Sequence, residues 1–572
     1  MSNLLEQASL VMIPSGYAED IVYSEIPLDG AGDLSFTRAS NGTRVNFDGL
    51  VEVVPWNLFG NSENGTSYNW GNPYNIGSVT LNSTTAPNGT NTGNLVVENS
   101  ANTNHWFEQS FTAIVGTPYT ISAYFKAKER TQCALYGFTD NFVFSGQLVI
   151  FNLSTGTVVS QSGTQTNAIE NVGNGWYRCS MTITANASAT AYFGYGLANG
   201  GSQSYQGDGT SGLYMWGRQL NTGTIKPYFP TTDRLNVPRL TYQNGGGGCP
   251  SLLLEKQSTN LVSYSQDFSN AYWSKLGQGV ADTAVVTANY AISPDGTQNA
   301  TRFVCNLNGG NTSSDRSWMI VSFTAQATST ISIWIKLNSA GTKTVLLSDS
   351  GGGTKTISGT DWQRIDATFV GASGEFRIGL IGGSTSDTLD CCIWGAQAEA
   401  SSYPTSYIPT TSASATRVAD ACFRNSYAGG ITSEGTIFAD FEYLRTDGGY
   451  STSCLIYNGG LGNYIYLYVV NNSIRALCAN SAVAQSNIIS STVTANTRYK
   501  VAARFKTNDF SLYVNGALIG TDTSGTMPTF STSYNTYVGT DSSFTEPVGK
   551  LNELVIFPVG LTDSELASLT TL

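Results

Sequence analysis

The sequence predicts an all-β protein of several domains, and three observations make that prediction. Gly, Ser, Thr and Asn are abundant and only 12% of the 572 residues are charged, a composition that builds pleated strands and tight turns. Long helices draw instead on Ala, Leu, Glu and Lys. Most of the chain is one module written twice, with loops of different length between matching strands. After Ala421 the pattern changes to evenly spaced strand candidates, at 435–441, 465–469, 499–505 and 510–514. A chain of this length divides into three or four domains.

Residues 1–55 read as an extended arm. Leu10, Val11, Met12 and Ile13 form one apolar patch in a segment too small to cover it. The expectation is that these four residues anchor the chain by burying themselves against another subunit. Residues 34–40, 43–46 and 49–52 then alternate as strand, turn and strand, with Asn41-Gly42 as the hairpin signal.

The first module spans 56–232 and the second 259–411. Asn57-Leu58 followed by Trp70 answers to Asn260-Leu261 followed by Trp273. Pro87-Asn88-Gly89-Thr90 matches Pro294-Asp295-Gly296-Thr297, and the strand 120–126 matches 330–336. Gly175-Trp176-Tyr177-Arg178 matches Asp361-Trp362-Gln363-Arg364. Both copies close on Trp-Gly-X-Gln, at Trp216 and Trp394, followed by Tyr228-Phe229-Pro230-Thr231-Thr232 or Tyr407-Ile408-Pro409-Thr410-Thr411. Trp216 and Trp394 are therefore expected at equivalent strand positions.

A connector at 233–258 separates the modules and echoes the hairpin before them, and residues 415–420 echo it again. The run Gly245 to Gly248 inside it marks a sharply turned backbone. The last domain, 412–572, carries Asn515-Gly516 as a two-residue hairpin turn and a short final helix. Thr562 and Glu565 have capping-box spacing at that helix.

The formal charge of −12 and the lack of a Lys/Arg cluster argue against a nucleic-acid partner. No secretory signal opens the sequence, and no apolar run reaches the length of a membrane span. Nine cysteines without a C-x-x-C pair read as reduced, packed thiols and not as a disulfide framework or zinc site. The adjacent Cys391 and Cys392 point to opposite faces of a strand.

In the last domain, Tyr513-Val514-Asn515-Gly516, Gly549-Lys550-Leu551 and Leu561-Thr562-Asp563-Ser564-Glu565-Leu566 resemble the ending of concanavalin A-like, laminin-G-like sandwiches. Three longer phrases, at 36–52, 250–273 and 394–420, resemble segments of tailed-phage virion proteins, with the crAss-like group as one setting. That resemblance implies an N-terminal extended arm, two carbohydrate-binding-module-like β-sandwich jelly rolls and a C-terminal concanavalin A-like β-sandwich. It implies a structural head or tail fibre subunit at the virion surface, assembled in the host bacterial cytoplasm. The implied partners are other virion proteins, copies of the same chain with a trimer favoured, and host surface glycan. A receptor-binding protein for host polysaccharide is the alternative reading, and a polysaccharide depolymerase ranks third.

Catalysis fits the residues poorly. Glycoside hydrolysis needs two suitably spaced carboxyl groups, and Asp440-Phe441-Glu442 lacks the third member of the Glu-x-Asp-x-x-Glu pattern. His105 is the one histidine, so a Ser-His-Asp site has no second candidate base. Sugar binding fits better, because sugar CH faces stack on aromatic rings while amides take the hydroxyls. Tyr74, Trp106, Trp70 and Trp273 are the candidate glycan-binding residues, with Tyr68 and Asn69 beside Trp70. Trp106 and Tyr74 are preferred because they do not repeat between the copies, as core residues would. The expectation is of no cofactor and no catalytic residue. A structural calcium, with Asp282, Asp295 and Asp387 as its carboxylates, stays open.

Overall fold

The computed structural model describes residues 2–66, 70–138, 146–243, 245–348, 353–371, 373–427, 429–445, 448–458, 462–530, 534–540 and 547–572. They form two units, one of residues 55–234 with 289–300, the other of residues 1–54, 235–288 and 301–572. Nearly every regular element is a strand.

In the first of these units two antiparallel sheets enclose the core of a jelly roll. One runs in the order Thr157–Ser162, Gln147–Asn152, Gln132–Phe138, Ala189–Ala198 and Asn102–Ala113, with Asn72–Tyr74 also paired to the last. The other runs Thr166–Gly173, Trp176–Thr184, Pro118–Lys126, Gly212–Thr222, Gly93–Glu98 and Ile76–Thr84. Alternate residues such as Phe107, Leu135, Phe193 and Tyr195 point inward and meet Ile121, Phe125 and Met215 from the facing sheet.

The second jelly roll, in the other unit, repeats this plan in detail. Strand Thr328–Leu337 lies between Gln363–Val370 and Thr388–Glu399, as Pro118–Lys126 lies between Trp176–Thr184 and Gly212–Thr222. Trp216 sits opposite Tyr124 just past a bulge after Ser122, and Trp394 sits opposite Trp334 just past a bulge after Ser332. The two tryptophans occupy equivalent positions. Their surroundings repeat too. Asn57 donates its amide to the carbonyls of Arg218 and Phe229 at 3.1 and 3.0 Å, and Asn260 does so to Ala396 and Ile408 at 3.0 and 2.9 Å. Ser62 meets the Tyr228 hydroxyl at 2.7 Å and Ser265 meets that of Tyr407 at 2.6 Å.

The C-terminal sandwich packs a sheet containing Glu434–Tyr443, Thr497–Lys506 and Gly549–Phe557 on one containing Ser451–Tyr457, Tyr464–Val470 and Ser473–Asn480. Asn515 and Gly516 turn the chain with φ of 49° and 83°, the positive values that a two-residue hairpin demands. Helix Asp563–Thr570 closes one face, its N-terminus capped by Thr562 and Glu565 in a complete capping box.

The N-terminal segment corrects the sequence expectation. Leu10–Met12 is a strand of the C-terminal sandwich itself, antiparallel to Gly549–Phe557 with Leu10 opposite Ile556 and Met12 opposite Leu554. Leu10 and Met12 enter the core between the sheets, and Val11, 2% exposed, packs on the outer side with Phe438, Val555 and Leu566. These three residues are thus covered by their own chain; only Ile13, 37% exposed, stays at the surface. The physical reason is a sheet edge: along this strand Ser251–Leu254 pairs only with Gly549 to Leu551, and the backbone groups of Leu554 to Ile556 beyond it are satisfied by the apolar strand. Strand Leu34–Thr37 likewise pairs with Ala421–Arg424.

The three echoing segments meet in one buried polar hub within that unit. Arg38 reaches Asp420 at 3.0 Å, and Arg239 reaches both Glu255, at 2.8 Å, and Asp420. Arg417 reaches Glu255 at 3.0 Å, and the backbone N–H of Glu255 donates to Asp420 at 2.8 Å. Burial works against the Glu255 charge, yet Arg417, Arg239 and Ser406 hold its carboxyl down at about 2. Burial also draws Arg38 down to about 10, against the pull of Asp420. Arg38, Glu255, Arg417 and Asp420, which lie in the phrases at 36–52, 250–273 and 394–420, are therefore partners in one network.

Candidate glycan-binding faces

The jelly-roll sheet holding Asn102–Ala113 turns one face to the core, so its residues divide by period two. Phe107 and Tyr195 take the core side, and Trp106, Glu108, Gly194, Gly196 and Tyr136 take the opposite side. Trp106 lies opposite Tyr74 on one side and Gly196 on the other. In the next row Gly194 lies between Glu108 and Tyr136.

The glycines make the room. A Cβ on Gly196 would stand 2.6 Å from the Trp106 Cα, and one on Gly194 would stand 1.7 Å from the Tyr136 ring. Trp106 stacks on Tyr136 with ring centroids 4.0 Å apart and meets Tyr74 edge-on at 6.3 Å. Tyr74 is 45% exposed, Trp106 is half-buried and Tyr136 is buried, where desolvation pushes its phenol up. The result is an aromatic step bordered by the Glu108 carboxyl, with the Asn75 amide held on the Asn104 carbonyl at 3.0 Å. His105 lies beneath, buried, with Nδ1 at 2.8 Å from the Asn75 carbonyl, and is structural.

The structure brings Tyr74 and Trp106 together and removes Trp70 and Trp273 from the candidates. Both latter indoles are buried in their cores, each donating Nε1–H at 3.0 Å, to the Asn61 and Tyr264 carbonyls. Each meets a core phenylalanine edge-on, Phe107 at 5.8 Å or Phe376 at 5.5 Å. They recur in the sequence because they fill the same cavity twice. Tyr68 and Asn69 lie outside the described residues.

Trp106, by contrast, does have a counterpart. In the second jelly roll Trp318 lies opposite Gly379, where a Cβ would stand 2.5 Å from the Trp318 Cα. The signal was available in the sequence: Ser-Phe-Thr-Ala follows Trp106 at 110–113 and Trp318 at 322–325, at the same spacing.

The carboxylates weighed for calcium are engaged by donors of the protein itself. Asp282 accepts from the Asn306 and Asn308 amides at 3.0 and 2.8 Å, and Asp387 from the Gly309 N–H at 2.9 Å. Asp295 accepts from Thr297 N–H and hydroxyl at 2.8 and 2.7 Å. Among the described residues no three His, Cys, Asp or Glu side chains gather as a metal site.

Asp440 and Glu442 lie on the outer side of their sheet, each paired with a cation. Arg498 donates Nε–H to Asp440 at 2.8 Å, Asn552 donates to the same oxygen at 2.8 Å, and Lys550 sits 3.2 Å from Glu442. A third carboxylate, Glu553, faces Asp440 from the neighbouring strand, outside any pattern along one strand. Burial raises its carboxyl, and the Asp440 charge adds to this.

Residues 441–567 match the family described as the concanavalin A-like lectin/glucanases superfamily. No curated protein matches the chain. Among solved structures, the tandem CBM22 domains of Paenibacillus barcinonensis Xyn10C align over 68% of this chain and 100% of their own, at 10% identity and a TM-score of 0.18. The CBM40 domain of the Ruminococcus gnavus IT-sialidase, bound to α2,3-sialyllactose, aligns over 25% and 85% at 18% identity and a TM-score of 0.23. Domains LG4-5 of the mouse laminin α1 chain align over 45% and 91% at 11% identity and a TM-score of 0.19. Among the described residues no helix is long and apolar enough to cross a membrane.

Proposed function

We propose that this chain is a structural subunit of a phage head or tail fibre that displays glycan-binding β modules at the particle surface. The observation that carries the binding half is the pair of Tyr74, exposed, and Trp106, half-buried and backed by the buried Tyr136, rings on a rigid sheet of the type on which a sugar ring stacks. The virion half rests on the phrases at 36–52, 250–273 and 394–420, which supply Arg38, Glu255, Arg417 and Asp420 of the buried hub. In this reading the protein binds without cleaving, since Asp440 and Glu442 are each tied to a cation. Attachment to the particle, assembly as a homo-oligomer with a trimer favoured, and residence at the virion surface after assembly in the host bacterial cytoplasm belong to the same proposal. With Leu10, Val11 and Met12 buried in their own chain, attachment must use other surfaces.

A reconstruction of intact particles, joined to affinity electrophoresis of the purified chain in gels carrying host surface polysaccharide, tests both halves. The chain should occupy density on the head or tail and be retarded by the polysaccharide. Absence from the particle would end the virion half, and unretarded migration the binding half.

A further inference from the structure

The two jelly rolls share the Trp–Gly pair but not its surroundings. Around Trp106 the neighbouring row reads Glu108, Gly194, Tyr136; around Trp318 the same row reads Ile320, Arg377, Ser348. The exchange is concerted. Tyr136 occupies the space a side chain at Gly194 would need, whereas Ser348 is small and leaves that space to Arg377.

Two guanidinium groups lie on Trp318, that of Arg316 at 4.7 Å from the ring and that of Arg377 at 5.3 Å. Arg316 donates Nε–H to the Ser313 carbonyl at 2.7 Å and has no carboxylate partner among the described residues. Arg377 pairs with Glu375 through one Nη, and its Nε–H has no acceptor. Trp318 is 4% exposed, and its indole N–H also lacks an acceptor. On a chain of formal charge −12, paired arginines on one sheet face are not part of a generally basic surface.

We infer that the Arg316–Trp318–Arg377 face binds sugar residues bearing a carboxylate, of the uronic acid class, while the Trp106 face takes neutral rings. This rests on the glycan-binding reading above and assigns the substrate class of the second module. A guanidinium presents a planar fork that matches a carboxylate with two parallel hydrogen bonds. Stacking on indole holds that fork in orientation, and the Arg316 guanidinium, with only its Nε–H on the Ser313 carbonyl, is not neutralised by a carboxylate among the described residues. The first face has no arginine at these positions, its row reading Glu108 and Gly194 where the second reads Ile320 and Arg377.

The test uses the full chain, with affinity electrophoresis in gels carrying polygalacturonate, its carboxyl-reduced neutral form, or dextran sulfate. Wild type should be retarded by polygalacturonate, and the double variant Arg316→Gln with Arg377→Gln should lose at least about tenfold in apparent affinity. The double Lys variant, which keeps charge but not the fork, should recover little, and both should melt as wild type does. Trp106→Ala should leave polygalacturonate binding intact while weakening retention by neutral host polysaccharide. That last arm separates failure of the inference from failure of glycan binding as such. The inference is overturned by polygalacturonate retention that survives the double Gln variant, by equal retention in carboxyl-reduced polymer, by dextran sulfate matching polygalacturonate, or by no retention in polygalacturonate.

Discussion

Arg38 and Asp420, 382 positions apart in the sequence, meet at 3.0 Å with neither side chain exposed. Removing one partner of such a pair strands the other as a buried charge, which costs about 3–5 kcal/mol. Asp420→Asn should therefore lower the urea midpoint sharply, and Arg38→Met combined with it should recover part of the loss. A double variant no better than the single one would show that the pair does not hold the segments together.

The same hub sets an acid limit. Glu255 is held at about 2 against an ordinary 4.5, so its ionised form is favoured by folding. Its contribution is complete above 4.5 and is lost as pH falls toward 2. Unfolding followed by tryptophan fluorescence should show stability falling through that window, and Glu255→Gln should flatten the fall while lowering stability at neutral pH. An unchanged slope in that variant would assign acid sensitivity elsewhere.

Because Leu10 and Met12 sit in the sandwich core, a chain beginning at residue 56 should lose its C-terminal fold. Leu10→Ala alone should cost about 2–5 kcal/mol. Thermal melts and dye binding to exposed apolar surface check both. A well-folded truncated chain would return the segment to the role of a free arm.

Gly516 has φ of 83° in its hairpin. Gly516→Val should destabilise that turn by roughly 1–3 kcal/mol, measured by chemical denaturation. A neutral effect would mean that the turn relaxes to another type.

Replacing Asp440 and Glu442 by their amides should leave polysaccharide retention unchanged, although it breaks pairs with Arg498 and Lys550. Reducing-end release by the wild-type chain that vanishes in this variant would make Asp440 and its neighbour Glu553 the centre of a depolymerase.

The strand character, the duplicated landmarks and the Asn515-Gly516 turn were legible in the sequence because each is set by local pattern. What was hidden depends on distant pairing. Leu10 finds Ile556, and Glu553 finds Asp440, only through sheet register. Trp70 and Trp273 have the composition of sugar sites but fill cores, which repetition between copies hinted at. Trp318 was missed because its flanking residues had diverged, although its Ser-Phe-Thr-Ala tail had not.

Calorimetric titration of host surface polysaccharide into the wild-type chain and into Trp106→Ala shows directly whether the Trp106 face binds sugar. Loss of one stacked ring should weaken binding by about 0.5–1.5 kcal/mol or more, with the melting temperature nearly unchanged since Trp106 lies outside the core cluster. Equal affinity of the two proteins, or no heat from either, would rule out sugar binding by this face.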